Sequence, residues 1–208
     1  MLLEVENIVK SFGTHRVLDG LTFGVDAGEA VALLGANGAG KTTLLRIVTR
    51  ILQPDGGRVL FGGHPLVQDD LAAVGYLPEE RGLYRRMRAG EQALYLARLK
   101  GMARADAETE LHQWFDRLGM ADWWHRPTAR LSKGMQQRLQ FVVAVAHRPR
   151  LLILDEPFSG FDADGAAMLA TEITRLRDSG TAILLSTHNL QAAENLCQRA
   201  VRINKSTE

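Results

Sequence analysis

The chain has 208 residues, a formal net charge of +1 and 46% hydrophobic residues. That is enough chain to bury a core as one large domain, or one domain with a subdomain, and the composition argues against disorder. The near-zero charge lacks the basic footprint of a nucleic-acid binder. Cys197, the only cysteine, excludes an internal disulfide and a cysteine-rich zinc site. It reads as a small, half-buried residue on a helix.

Met1 leads directly into the alternating "LLEVENIVK", without the pattern of a signal peptide. No stretch approaches the ~18 apolar residues that would cross a bilayer. The expectation is a soluble chain whose membrane role, if any, runs through a partner. "LLEVENIV" and the apolar run within "RVLDGLTFGVDAGEA" predict strands. "AVALL" (Ala30 to Leu34) predicts a buried strand, followed by a glycine-rich turn and the helix-spaced "TTLLRIVTRIL". "PDGGRVLFGG" is a strand between turns, and "LAAVGYL" closes the strand-rich half.

The middle changes period. "AGEQALYLARLKGM", "ADAETELHQWFDRLGM" and "KGMQQRLQFVVAVAHR" space their apolar residues as helices. Ser132 stands as N-cap of the third, and Pro149 follows its end. "DWWH" (Asp122 to His125) puts two tryptophans near the end of a helix, for packing or for a partner. Strand–helix alternation then returns: "LLILD", "ADGAAMLATEITRLRDSG", "TAILLS", "NLQAAENLCQ" and "RAVRI". Such alternation predicts a mainly parallel sheet, with the helical middle inserted.

"GANGAGKT" (Gly35 to Thr42) fits G-x-x-x-x-G-K-[ST] between a strand and a helix. Gly35, Gly38 and Gly40 free the backbone to approach phosphate oxygens, while the N–H groups of Ala36, Asn37, Ala39 and Thr43 belong to the same cradle. Lys41 adds a cation for the β- and γ-phosphates, and Thr42 a hydroxyl for Mg²⁺. The site therefore binds a nucleoside triphosphate. "NKST" (Asn204 to Thr207) lacks the aspartate of a guanine-specificity motif, so a GTPase is rejected.

"LLILDEP" puts Asp155 at the carboxyl end of a buried strand, where parallel sheets bind ligands. Asp155 suits a magnesium contact, and Glu156 a base toward the attacking water. The alternative is a solvated strand end. "AILLSTHN" places His188 likewise between strand and helix, either to donate to the γ-phosphate or as a helix-start residue without chemistry. The remaining histidines have no metal-ligand spacing.

With "LSKGMQQR" (Leu131 to Arg138) lying between phosphate loop and "LLILDEP", the chain resembles the nucleotide-binding subunit of ABC transporters along nearly its whole length. "LSKGM" stands for the family's Leu-Ser-Gly-Gly-Gln signature, with Lys133 and Met135 as departures. The resemblance implies a P-loop α/β core, an N-terminal antiparallel β-subdomain and an inserted helical subdomain. Residues 1–78 and 149–208 would form the core and β-subdomain, and roughly 79–148 the helical part.

It further implies a head-to-tail dimer enclosing two ATP molecules. Ser132, Gly134 and Asp162 of "SGFD" (Ser159 to Asp162) would act across the dimer. Phe12 of "KSFG" falls where an aromatic residue stacks on adenine, against the alternative of a core aromatic. His188 corresponds to the switch histidine. Glu79 of "GYLPEE" replaces a glutamine and keeps an oxygen for Mg²⁺. Lys133 either adds charge near phosphate or points to solvent.

"YLPEERGLY" and "LSKGMQQ" resemble most the sodium-extrusion and drug-export branch. The implied partners are a second copy of the chain, or a paralogous ATPase subunit, and a membrane permease; nucleic acid is not among them. The implied place is the cytoplasmic face of the plasma membrane. Glu80 to Arg88 becomes a candidate permease-docking surface, though Arg85, Arg86 and Arg88 also read as a solvated face. A soluble ABC ATPase of the iron–sulfur assembly type stays open as the alternative; a small-molecule P-loop kinase has no use for the signature helix or the histidine.

Overall fold

The computed structural model describes residues 1–80, 82–188 and 190–204. Arg81 of the charged loop, Asn189 at the expected start of the last helix and most of "NKST" lie outside them.

The long alternating start folds back on itself. Strands β1 (Leu3–Phe12) and β2 (His15–Val25) form an antiparallel hairpin, closed at the Phe12–His15 pair with Gly13 at φ 61°. β4 (Gly56–Phe61) pairs antiparallel with β1, and the short β5 (His64–Pro65) completes a sheet in the order β2-β1-β4-β5.

The apolar runs build a second sheet. β3 (Ala30–Leu34), β6 (Val74–Leu77), β7 (Leu151–Asp155), β8 (Ala182–Thr187) and β9 (Arg199–Arg202) lie parallel in the order β6-β7-β8-β3-β9. Every residue of β3, β7 and β8 is buried. Two-residue side-chain alternation explains why these runs are continuously apolar. Leu152, Leu154, Ile183 and Leu185 enter the core on the helical face, while Leu151, Ile153, Ala182 and Leu184 enter the core beneath the antiparallel sheet.

The helices are α1 (Lys41–Val48), α2 (Ala89–Leu99), α3 (Arg104–Arg117), α4 (Lys133–Val145), α5 (Ala163–Asp178) and α6 (Leu190–Leu196). Ala89, Ala93 and Ala97 of α2, Leu111 and Phe115 of α3, and Leu139 and Val142 of α4 share the core on the helical face of the parallel sheet. Gly75 of β6 lets α4 approach closely: a Cβ there would lie 2.1 Å from the Ala144 carbonyl oxygen.

Some boundaries differ from the sequence expectation. Leu71–Ala73 belong to a 3-10 turn (Asp69–Ala73), so β6 begins at Val74. α1 stops at Val48, before the apolar pattern ends, because Arg50 turns left-handed at φ 57°. α3 ends earlier than "FDRLGM". Gly119 takes φ 64°, and the Met120 N–H donates back to Phe115 O at 2.6 Å, a glycine-terminated helix end. Trp123 therefore sits in a separate 3-10 turn (Ala121–Trp123), with Trp124 just after it. Trp124 stacks on His112 with ring centroids 4.0 Å apart and covers Gly90 of α2. Cys197 lies just past α6; burial pushes its thiol up to about 11.

Candidate active site

β8 runs between β7 and β3, and their carboxyl ends are level: Leu34 pairs with Thr187, and Asp155 with Ser186. This register brings together three loops that are far apart in sequence. They surround a cleft of about 490 Å³ lined by Asn37, Gly38, Gly40, Lys41, Thr42, Thr43, Glu79, Asp155, Glu156 and His188, together with His15 and Val17.

The glycine loop turns on itself through Ala39 N–H to Ala36 O, at 3.1 Å. Gly38 and Gly40 take φ 77° and 105°, a region that favours glycine. Gly40 also has no room for a side chain, since a Cβ would lie 2.8 Å from Val17 Cγ1. The first turn of α1 receives no side-chain cap. Its N–H groups and the positive end of the helix are thus free to hold an anion. The buried Lys41 ammonium donates to Gly35 O at 2.7 Å and Ala36 O at 3.3 Å, fixing a cation beside the loop.

Asp155 is 1% exposed. Thr42 Oγ1 donates to its Oδ2 at 2.9 Å, and the Ser186 hydroxyl donates to its Oδ1. A hydroxyl and a carboxylate in contact are hard oxygen donors, the set that suits Mg²⁺ held by few protein ligands and substrate phosphates. The residues present therefore fit that ion.

Glu156 has the left-handed φ of 47°, uncommon for a residue with a side chain. The turn is held by its N–H, which donates to Ser186 O at 3.1 Å and to Ser186 Oγ at 3.2 Å. Its carboxylate lies 2.9 Å from His188 Nδ1; against an ionised carboxylate that nitrogen donates. The glutamate side chain is 13% exposed and the imidazole 67%, so the pair spans from the protein wall to the open cleft.

The other expected residues fall elsewhere. Gly35 and Ala36 line an adjoining cleft with Thr187 and His188, and Ala39 is buried in the core. Phe12 is 52% exposed at the hairpin tip beside Lys10, so the core-aromatic alternative fails; it lies outside the cleft lining. Ser132, Gly134 and Asp162 share a second cleft of about 460 Å³ with Lys133, Met135 and Gly160, which has no lining residue in common with the first. Ser132 Oγ accepts from Met135 N–H at 3.3 Å and caps α4, as expected; Asp162 Oδ1 caps α5 by accepting from Gly165 N–H at 2.8 Å. Lys133 is exposed at that cleft.

Sequence reasoning missed Ser186, His15 and Val17. The one signal for Ser186 was a polar residue closing the apolar run "AILLS". His15 and Val17 offered none, because the hairpin's approach to the loop is a tertiary fact.

A parallel sheet whose strand ends carry a phosphate loop, a buried carboxylate and a facing acid–histidine pair defines a P-loop nucleotide-hydrolysing site. Residues 18–159 match the family model described as ABC transporter, and the chain belongs to that family: it is an ABC transporter ATP-binding domain, of the kind that hydrolyses ATP. It is 41% identical over 204 residues to the ABC transporter ATP-binding protein YhaQ of Bacillus subtilis, covering 98% of this chain and 68% of that one. The lantibiotic transport ATP-binding protein SrtF of Streptococcus pyogenes is 31% identical, over 94% of this chain and 83% of its own. A solved ATP-binding subunit of an ABC transporter superposes with a TM-score of 0.90 at 32% identity, over 100% of this chain and 89% of that one.

Proposed function

We propose that this chain drives export through a separate membrane permease, working as a head-to-tail dimer that closes on two Mg-ATP. The observation that carries the dimer is the separation of the two clefts. Lys41, Thr42, Asp155, Glu156 and His188 surround one, while the signature residues Ser132 and Gly134 sit with Asp162 at the other. A helix N-terminus at Ser132 favours an anion, yet its own phosphate loop lines a different cleft. A second copy, or a paralogous subunit, turned head to tail brings each signature to the other's γ-phosphate.

In this reading Lys41 and the loop N–H groups hold the β- and γ-phosphates. Thr42 and Asp155 would hold Mg²⁺, with Glu79 as a further oxygen on the cleft wall. When bound, the ion neutralises charge developing on the phosphoryl oxygens. Glu156 takes a proton from the attacking water, and His188, in its imidazolium form, orients that carboxylate through Nδ1–H and donates from Nε2–H toward phosphate.

Export is supported by the likeness of the charged loop and signature to the drug-export branch, and by SrtF, whose name gives it lantibiotic transport. Among the described residues no helix is long and apolar enough to cross a membrane. The path across the bilayer therefore belongs to the permease in this reading, with the chain on its cytoplasmic side. We further infer that residues from about 79 to 148 act as the permease-facing helical unit. Tyr84 and Tyr95, 54% and 46% exposed and packed edge to face, sit on it with the exposed Leu99, Arg85, Arg86 and Arg88. Exposed tyrosine beside arginine is the composition of protein interfaces.

Mixing chains tests the composite site. Ser132→Arg mixed with Lys41→Ala leaves at most one intact site per heterodimer, so activity returns to no more than half. Recovery of two working sites per dimer would overturn the head-to-tail arrangement.

A further inference from the structure

Both oxygens of the Asp155 carboxylate are held by hydroxyls from other elements. Thr42 Oγ1 on α1 takes Oδ2 at 2.9 Å, and the fully buried Ser186 on β8 donates to Oδ1. Ser186 has two roles: its hydroxyl hydrogen goes to Asp155, and its oxygen accepts the Glu156 N–H at 3.2 Å. That N–H belongs to the residue whose φ of 47° departs from ordinary backbone, and whose carboxylate reaches His188.

We propose that Ser186 is a positioning residue for ATP hydrolysis. Its single hydroxyl fixes the carboxylate plane of Asp155 and the left-handed turn of Glu156 relative to each other. The inference rests on the metal and base roles read above for those two residues. The physical reason is that neither side chain holds this placement alone. Without the hydroxyl, Asp155 Oδ1 becomes a buried acceptor lacking its donor and the carboxylate rotates toward another. Glu156 keeps one bond, N–H to Ser186 O at 3.1 Å, so the turn survives with less restraint. The fold is retained while the geometry of the two acids loosens. Groups that orient a metal ligand typically cost roughly 10- to 100-fold in metal affinity or activity when removed.

Thr and Val are nearly the same shape and differ by the hydroxyl, so they form the test with Ser186→Ala. In the full chain, Ser186→Ala and Ser186→Val are expected to lower kcat about 10- to 100-fold. They should also raise the Mg²⁺ concentration giving half-maximal turnover. ATP binding measured by calorimetry without Mg²⁺ should stay unchanged, because the phosphate loop is untouched. Ser186→Thr should recover most of the rate, and all three should melt above the assay temperature. Ser186→Ala turning over within twofold of the parent would overturn the proposal. So would Thr and Val variants that are equally impaired, since that pattern reports crowding at a buried strand and not a hydroxyl. If Ser186→Ala fails to fold, the Thr and Val pair decides. Failure of the underlying reading shows separately: a Glu156→Gln chain with normal turnover removes the base, whatever the Ser186 series does.

Discussion

At Glu156 a carboxylate, an unusual backbone turn and a histidine meet within one hydrogen-bonded chain. A base needs a carboxylate that is ionised, oriented and close to the γ-phosphate end of the cleft. Replacing it with glutamine keeps shape and hydrogen bonding but removes the basic oxygen. Glu156→Gln should bind ATP like the parent and lose on the order of 10²- to 10⁴-fold in turnover, measured by phosphate release. Undiminished turnover would remove Glu156 as the base. Much of this site was legible residue by residue. The phosphate loop is contiguous, so its spacing carries its function, and Asp155 and Glu156 stand at the end of an unmistakably buried run. Ser186 was not legible, because its meaning lies in a cross-strand pair with Asp155 that no local pattern encodes.

Elements set the next scale, and here boundaries departed from periodicity while element types did not. The buried strands of "AVALL" and "LLILD" coincide with their apolar runs because both faces of the sheet are covered. α1 and α3 end where Arg50 and Gly119 turn left-handed, which apolar spacing does not report. The edge strand β6 depends on two helix ends. Lys100, after α2, donates to Leu71 O at 2.7 Å and Val74 O at 2.8 Å, and His147, after α4, places Nε2 3.2 Å from Val74 O. Burial, reinforced by the Lys100 charge, holds the imidazole down from 6.5 to about 4. The folded value lies below the unfolded one, so this site contributes fully above about pH 6.5 and progressively less as pH falls toward about 4. The melting temperature should drop over that window, and His147→Leu should flatten the drop. An unchanged slope in that variant would assign the acid sensitivity elsewhere.

The charged loop belongs to the same scale. Backbone bonds from Ala89 to Arg126 O, Thr128 to Met87 O and Ala129 to Arg85 O tie it to the segment before the signature helix. The loop therefore joins the cleft wall at Glu79 to α4's entrance by short connections. Reversing Arg85, Arg86 and Arg88 to glutamate should abolish permease binding in pull-down while leaving basal ATPase intact. Unchanged binding would return these arginines to the role of a solvated face.

For the whole molecule, two features matter: a sheet that aligns three distant loops, and a second cleft that shares no lining residue with the one they surround. The sheet order β6-β7-β8-β3-β9 was not legible, since alternation gives parallel strands without saying which are neighbours. The pairing of two chains proposed above has its sequence basis only in the resemblance of "LSKGM" and "SGFD" to a family signature. Ser132 and Asp162 also have local roles as helix caps, and within one chain they line a cleft separate from that of the phosphate loop.

The most direct measurement is the mass of the Glu156→Gln chain by sizing chromatography with light scattering, at saturating Mg-ATP and without nucleotide. A shift from monomer to dimer only with Mg-ATP, abolished by adding Ser132→Arg, is the expected result. A chain that stays monomeric at saturating Mg-ATP, or dimerises equally well with Ser132→Arg, would contradict the composite site.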